Sequence, residues 1–249
     1  MPRTARVQSA SGNYHVMLRG VGRRIIFEDD ADRRAFLGVL ARCAKECEVD
    51  LIAYCLMSNH VHLALDNREG VPSRLMRRIG TSYAMRFNRL NDHVGHVFQG
   101  RFKSVPVESN EQLLETVRYV HRNPAEAEIG QVDTYAWSSY GEYVGRPQIC
   151  KTDGVLDLLA GVDGFVEYMR GRNGDFDPFP EARALLLDDK ALAIAREVLG
   201  EQGMRELEGD SRSARDRCLR ILRDKGMSAR QVSRITGIGR SIVTAAFRG

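Results

Sequence analysis

The sequence of 249 residues has no long hydrophobic run. Its longest uncharged stretch covers the fifteen residues 51–65, whereas about twenty apolar residues are needed to cross a bilayer. The opening Met-Pro-Arg-Thr-Ala-Arg leads into polar residues rather than into the apolar centre of a secretory signal. These absences argue against a membrane protein and predict a soluble, cytoplasmic one.

Cysteine is scarce as well. The chain has five cysteines, none of them in a Cys-x-x-Cys pair, at positions 43, 47, 55, 150 and 218. This odd, scattered set predicts reduced thiols in a cytoplasm rather than a disulfide framework. A Walker-type Gly-x-x-x-x-Gly-Lys loop is also absent, which argues against chemistry driven by a bound nucleotide.

The net charge of +4 conceals three regions. Residues 1–147 carry 20 basic and 17 acidic side chains, residues 148–210 carry 7 and 14, and residues 211–249 carry 10 and 2. A tail this basic is typical of a segment that binds a polyanion, and the acidic middle is typical of a connector. The sequence therefore predicts a first domain at 1–147, an acidic helical connector at 148–210 and a basic DNA-binding domain at 211–249.

Two histidines lie two residues apart in the uncharged run, at His60 and His62. Because side chains alternate across a strand, both imidazoles point to one face while Val61 and Leu63 point to the core. Neutral imidazole is among the commonest metal ligands, so the pair is half of a divalent-ion site. The alternative is two polar residues on a solvated face.

The segment Glu111–Asn123 has the pattern of a helix. Asn110 is suited to cap its start, and Pro124 is expected to end it. Its apolar stripe consists of Leu113, Leu114, Val117 and Val120. At about 100° per residue, Tyr119 and Asn123 share a flank away from that stripe, predicted to be exposed. There they are a candidate nucleophile and a candidate amide ligand, or simply a surface tyrosine and a helix-ending asparagine.

Four ordered segments carry a family resemblance. They are Cys55-Leu-Met-Ser-Asn-His-Val-His-Leu63, Phe98-Gln-Gly-Arg-Phe-Lys-Ser104, Tyr119-Val-His-Arg-Asn-Pro124 and Trp137-Ser-Ser-Tyr140. Together they resemble the single-tyrosine HUH transposases (IS200-like), specifically the REP-associated tyrosine transposases. The resemblance covers roughly residues 12–146.

The resemblance implies a ferredoxin-like α+β catalytic domain that cuts and rejoins single-stranded DNA near a palindromic hairpin. In that family His60 and His62 would be the metal-binding pair, Asn123 a third ligand and Tyr119 the nucleophile that forms a 5′-phosphotyrosine intermediate. Mg²⁺ or Mn²⁺ suits such a mixed nitrogen and oxygen site. The implied partner is single-stranded DNA with a REP-like hairpin, and the sequence does not decide between a monomer and a homodimer.

Two segments are candidate DNA-contacting surfaces. The basic lead-in with Arg19, Arg23 and Arg24 also resembles that of the family, and the later segment supplies Gln99, Arg101, Phe102 and Lys103. The later segment mixes positive charge with aromatic stacking surface, as single-strand binders do. A series of arginines on the second long helix is read equally well as a phosphate track or a solvated face.

Other histidines and tyrosines offer alternatives to these assignments. With His60 and His62, the loop residues His93 and His96 would complete a four-histidine zinc site. His15 and His121 are predicted to be structural or close to DNA. The rival nucleophiles are Tyr14, Tyr54 and Tyr83, and core packing is predicted for the last two.

Hydrophobic periodicity predicts the order β-α-β-β-α-β-α, which is that of a ferredoxin-like domain. The predicted strands are 13–19, 51–58, 61–66 and 103–107, and the predicted helices are 30–47, 72–90 and 111–123. In the first helix the residues predicted to be buried are Phe36, Leu37, Leu40 and Cys43.

The basic tail predicts three short helices, at 214–223, 228–237 and 238–247. Their predicted core consists of Val232, Ile235, Ile238, Val243 and Phe247. The pattern resembles a helix-turn-helix with Arg240, Ser241 and Thr244 on its recognition helix. The alternative is a basic three-helix packing module.

Two rival functions stay open. One is a DNA-binding regulator that keeps the fold without cutting. The four intact positions His60, His62, Tyr119 and Asn123 argue against it. The other is a different HUH nuclease, such as a replication initiator or a relaxase. Relaxases usually place the tyrosine before the histidine pair, and initiators often append a helicase, and neither feature is found in this sequence.

Overall fold

The computed structural model describes most of the chain. The described residues are 6–67, 70, 72–91, 94–171, 178, 183–209, 211–225, 227 and 229–248. His93, proposed above as a zinc ligand, lies outside them.

A four-stranded antiparallel sheet forms the centre of the N-terminal region. Its strands are β1 (Asn13–Arg19), β2 (Asp50–Leu56), β3 (His60–Asp66) and β4 (Lys103–Val107), in the spatial order β2-β3-β1-β4. Each neighbouring pair is antiparallel. This is the ferredoxin-like order, so the predicted fold class is confirmed.

Helices α1 (Asp30–Cys47) and α2 (Ser73–Leu90) cover one face of the sheet. The Asp29 carboxylate accepts a hydrogen bond from the Asp32 amide and caps α1, which satisfies an amide that the helix leaves unpaired. Phe36, Leu40 and Cys43 are buried as predicted, whereas Leu37 is only partly buried.

The rival tyrosines belong to this same core. They are Tyr14, Tyr54 and Tyr83, all buried with α1 and α2. Tyr83 donates its hydroxyl proton to the Ile26 carbonyl at 2.5 Å, and Tyr54 alternates in β2 with residues that point to the other face. The prediction of core packing is therefore confirmed for Tyr54 and Tyr83.

Helix α3 (Asn110–Glu126) covers the opposite face of the sheet. Two predictions about its ends are wrong. Ser109, not Asn110, caps it by accepting a hydrogen bond from the Gln112 amide. Pro124 lies inside the helix, because a proline one turn from the end removes little hydrogen bonding, and its own carbonyl still accepts from the Ile129 amide.

The acidic segment is divided between two cores. Its helices α5 (Asp153–Leu158) and α6 (Val162–Arg170) pack with α3 and with the preceding short helix α4 (Tyr140–Tyr143). Tyr143 of α4 stacks on Phe165 of α6 at 4.5 Å between ring centroids. Helix α7 (Arg183–Glu208) instead contributes Ala191, Leu192 and Ala195 to the C-terminal core. The boundaries at 147 and 210 stay predictions.

The tail forms three helices, α8 (Arg212–Asp224), α9 (Ala229–Thr236) and α10 (Arg240–Arg248). Val232, Ile235 and Val243 are buried in their core, while Ile238 and Phe247 are partly buried against it. Gly237 follows α9 at a φ of 72°, a conformation that favours glycine at a helix end. None of the described helices is long and apolar enough to cross a membrane.

Candidate active site

Three histidines lie on the sheet face that α3 covers. His60 and His62 alternate along β3 with Val61 and Leu63, which belong to the core on the other face. His15 lies on the neighbouring strand β1, and all three imidazoles are fully buried. The predicted shared face is confirmed, and a solvated face is excluded because the rings are buried.

Each histidine of the pair has a neighbour at its Nδ1 atom. His60 Nδ1 lies 2.7 Å from the Asn59 side-chain oxygen, which only accepts, so His60 carries its proton on Nδ1 and presents Nε2 as its coordinating atom. His62 Nδ1 lies 3.0 Å from His15 Nε2. The rings of His60 and His62 are 5.0 Å apart between centroids and nearly perpendicular, at 84°.

Tyr119 on α3 lies against the histidines. Its ring centroid is 5.6 Å from that of His62 and 5.4 Å from that of His15, both in edge contacts. Asn123, one turn later, donates from its amide nitrogen to the Tyr119 carbonyl at 2.7 Å, while its Oδ1 is buried and has no hydrogen-bond partner among the described residues.

The predicted exposure of this flank is wrong. Tyr119 is 5% exposed and Asn123 1%. The reason is that α3 is covered on two sides. Its apolar stripe packs against the helices α5 and α6 as well as the sheet, and its tyrosine flank meets the histidines. The helical periodicity of the sequence assigns residues to the two flanks of α3, but it does not predict that both flanks are covered by other elements.

Burial makes the histidines neutral. It lowers the pKa of His62 to about 3. Burial first, and then the proximity of His62 and of the positive Arg19, lower the pKa of His60 well below its usual value. A buried, neutral imidazole keeps the lone pair that a metal ion needs, so the environment fits ion binding.

The available donors restrict how an ion is held. Among the described residues, no group of three or more His, Cys, Asp or Glu side chains is placed to bind a metal. The buried Oδ1 of Asn123 is a neutral oxygen of the kind that Mg²⁺ and Mn²⁺ accept as a ligand. His96 lies exposed on its loop, which does not favour the four-histidine zinc alternative.

A basic rim borders the site. Burial is the larger cause, and the positive charge of Arg19 the smaller one, of the lowered pKa of Lys103. The same Arg19 charge contributes to the lowered pKa of His60. The backbone amide of Gln99 donates a hydrogen bond to the Arg19 carbonyl at 2.9 Å, and Gly20 forms an isolated antiparallel β-bridge with Phe98. The basic lead-in and the later segment that begins at Phe98 were predicted separately as DNA contacts, and they lie side by side.

Sequence reasoning missed one member of this rim. The Arg6 guanidinium lies 3.7 Å above the Phe102 ring and donates to the Phe102 carbonyl at 3.2 Å. Burial, and to a smaller extent the positive charge of Arg101, lower the pKa of Arg6. A lone arginine in a polar N-terminus gives no periodic signal, so only the fold places it beside an aromatic ring.

The remaining predicted DNA contacts are scattered. Arg24 is exposed in the lead-in, and the side chain of Arg23 lies outside the described part of the chain. Arg240 and Ser241 are exposed on α10 and Thr244 is half-buried. These three lie on α10, and none of their described contacts is with His60, His62 or Tyr119.

Residues 8–123 match the family model described as "Transposase IS200 like". This segment, just under half of the chain, is similar to the IS200-like transposase family. The matched segment includes His60, His62, Tyr119 and Asn123. The sequence resemblance is thereby confirmed at this level, and so is the enzyme class of a transposase.

Solved structures extend the comparison. A REP-associated tyrosine transposase bound to a REP hairpin is similar, with a TM-score of 0.52 and 15% identity, over 71% of this chain and 96% of the other. This likeness shows the fold. A putative transposase from Deinococcus radiodurans R1 has a TM-score of 0.34 and 17% identity over 45% of this chain and 89% of its own. No curated protein matches this transposase.

Proposed function

We propose that this transposase is a metal-dependent single-strand DNA endonuclease and strand transferase of the REP-associated type. The observation that carries the proposal is the edge contact between Tyr119 and His62 at 5.6 Å. It brings a tyrosine side chain and a neutral imidazole pair together on one buried sheet face. A nucleophile beside a site for a divalent ion supplies the two parts that phosphodiester transfer needs.

The proposed residue roles follow from the donors described above. His60, His62 and Asn123 would hold Mg²⁺ or Mn²⁺, with Asn59 keeping the proton of His60 on Nδ1. When bound, the ion would polarise the scissile phosphate and stabilise charge that develops on its oxygens.

The proposed reaction is a transfer of the phosphoryl group to Tyr119. The tyrosine oxygen forms a bond to phosphorus as the bond from phosphorus to the 3′ oxygen breaks. The phenolic proton leaves the tyrosine, and the released 3′ oxygen takes up a proton. The products are a 5′-phosphotyrosine and a free 3′-hydroxyl, and the stored phosphodiester allows rejoining without a nucleotide cofactor.

The basic rim would guide the single strand to Tyr119. Arg19 supplies positive charge beside His60, Lys103 lies beside Arg19, and Arg6 covers the ring of Phe102. Arginine and aromatic surface together suit a flexible strand, because bases stack on such surfaces and phosphates pair with the charge. The hairpin is proposed from the similar fold of the transposase that was solved with a REP hairpin.

The C-terminal helices are proposed as a second DNA-binding unit. A groove of about 1200 Å³ lies between them and the lead-in, and it is lined by Arg24 and Glu28 as well as by Arg215, Gly239 and Ile242. Gly239 and Ile242 flank Arg240 and Ser241, so the candidate recognition helix begins at this groove. One DNA molecule would then reach both the lead-in and α10.

The test of the proposed function is covalent adduct formation. Labelled single strands with a hairpin, taken from the flanks of the gene, are incubated with the protein and Mn²⁺. We expect a denaturant-resistant adduct, none with the perfect duplex, and none with Tyr119→Phe at nearly unchanged hairpin affinity. Tyr168→Phe is the matched control, since Tyr168 lies on α6 under Arg118 and should react normally.

Two results would change the proposal. An adduct formed by Tyr119→Phe would show that the nucleophile is a different residue. Hairpin binding without any adduct from the unaltered protein would favour the non-cutting regulator.

A further inference from the structure

His15 contacts both parts of the candidate active site. Its Nε2 lies 3.0 Å from His62 Nδ1, and its ring centroid lies 5.4 Å from that of Tyr119, with the planes at 69°. It is fully buried on β1. One side chain on the first strand thus touches a candidate metal ligand and the candidate nucleophile.

The bond between the two histidines admits two arrangements. A neutral imidazole carries one proton, so one ring donates and the other accepts. If His62 donates from Nδ1, its Nε2 keeps a lone pair and coordinates an ion. If His15 donates from Nε2, the proton of His62 must lie on Nε2, and coordination through that atom is blocked.

His60 is not subject to this ambiguity. Its Nδ1 partner is the Asn59 side-chain oxygen, which has no proton to give. The partner of His62 is a ring that can donate or accept. The nitrogen of His62 that carries its proton, and thus the nitrogen that is free to coordinate a metal, therefore depends on which nitrogen of His15 is protonated.

We propose that His15 is a positioning residue with two roles. Its Nε2 accepts a hydrogen bond from His62 Nδ1, which leaves the lone pair of His62 Nε2 available to the metal, and its ring holds the Tyr119 ring in place. This inference rests on the proposed function. The two roles use different parts of His15. The acceptor nitrogen acts on His62, and the ring acts on Tyr119, whose ring also contacts that of His62.

Two substitutions separate these roles. His15→Gln keeps an acceptor at about the position of Nε2 but removes the ring. His15→Phe keeps a ring but removes the acceptor. His121→Phe is the matched control, because His121 is another fully buried histidine whose Nε2 lies 2.8 Å from Ser139 Oγ, and its described contacts do not include the histidine pair.

The first measurement is a calorimetric Mn²⁺ titration of the DNA-free protein, with a thermal melt in chelator to check folding. We expect His15→Phe to weaken Mn²⁺ affinity by about 10–100-fold, the usual effect of removing the partner of a ligating histidine. His15→Gln and His121→Phe should stay close to the unaltered protein.

The second measurement is the rate of adduct formation at saturating Mn²⁺ and DNA. We expect His15→Gln to be slower than the unaltered protein, because no ring then lies beside Tyr119 on β1, while hairpin affinity is unchanged. If His15→Phe does not melt cooperatively, the rate of adduct formation in His15→Gln is the deciding measurement. A normal rate in that variant overturns the inference.

Other outcomes also discriminate. Unchanged Mn²⁺ affinity in a folded His15→Phe overturns the acceptor role and leaves the proposed function intact. Equal losses of affinity in His15→Phe, His15→Gln and His121→Phe would show that His15 only fills space. If the unaltered protein binds no Mn²⁺, the metal site of the proposed function fails, and this inference fails with it.

Discussion

Tyr119 lies edge-on to His62, with ring centroids 5.6 Å apart and planes at 75°. The two residues come from different layers, a helix and the sheet beneath it. Their contact requires α3 to lie flat on the histidine face, and that placement is fixed by the apolar residues on the other flank of α3. The core of the domain therefore sets the geometry of the candidate site.

The candidate ligands should contribute unequally to metal binding. We expect His60→Ala and His62→Ala to reduce Mn²⁺ affinity more than Asn123→Ala, because water replaces an amide oxygen more readily than an imidazole nitrogen. Excess Mn²⁺ should partly restore adduct formation in Asn123→Ala. Calorimetry measures the affinities, and an unchanged value for His60→Ala would rule out the site as described.

Acid should destabilise the metal-free protein through its buried histidines. Burial lowers the pKa of His62 and of His121 to about 3, and that of His15 and of His60 well below the usual 6.5. In the unfolded chain these groups take up protons below about pH 6.5, so stability present above that pH is lost as the pH falls toward 3. Each should contribute a slope of about 1.4 kcal/mol per pH unit.

Urea unfolding at pH 7.5, 6 and 5 in chelator tests that slope. His121→Gln removes one of the four groups without touching the histidine pair. Its free energy of unfolding should depend less on pH than that of the unaltered protein, by about 1.4 kcal/mol per unit. Parallel curves for the two proteins would mean that His121 is protonated in the folded state.

The C-terminal helices should contribute affinity but no chemistry. A protein ending at Gly171 keeps the cores on both sides of the sheet, whereas an end near residue 150 would remove Phe165 and Met169 from beneath α3. We expect the 1–171 protein to form the adduct at high DNA concentration. Its log affinity should fall less steeply with log salt, by about 0.7–0.9 for each phosphate that the removed helices neutralise.

Substitution at α10 shows whether the helices read sequence. Arg240→Ala should weaken binding to one duplex sequence more than to others if α10 enters a groove. Equal weakening for every sequence would indicate a phosphate clamp. A truncated protein with unchanged affinity and salt slope would indicate a packing module.

Arg6 offers a test of the basic rim. Arg6→Ala removes the cation above Phe102 and should weaken binding of unstructured single strands, lowering the salt slope by about 0.7. Arg170→Ala is a suitable control, since Arg170 pairs with Glu167 on the surface of α6. Equal affinities of the two variants would place the single strand elsewhere.

Much of the fold could be predicted from sequence. The bounds of β1, α1 and β4 agree with the prediction because each has a clean alternation or helical spacing. Periodicity also placed His60 and His62 on one face. It could not show that α3 has a second covering layer, since Phe165 and Met169 lie in a segment whose acidic composition suggested a connector.

The contacts of His15 depend on the assembled sheet. Its distance to His62 follows from the pairing of β1 with β3, where Met17 is opposite His62 and His15 opposite Ala64. Neither a motif nor a composition records that register. The sequence alone therefore could not show that a third imidazole joins the pair.

The most direct test of the central claim is to map the DNA-linked residue. The adduct is trimmed with nuclease and digested with protease, and the peptide that carries the nucleotide is sequenced by mass spectrometry. We expect the nucleotide on Tyr119, in the peptide that contains Val120 and His121. A nucleotide on Tyr14, Tyr54 or any other side chain would contradict the account.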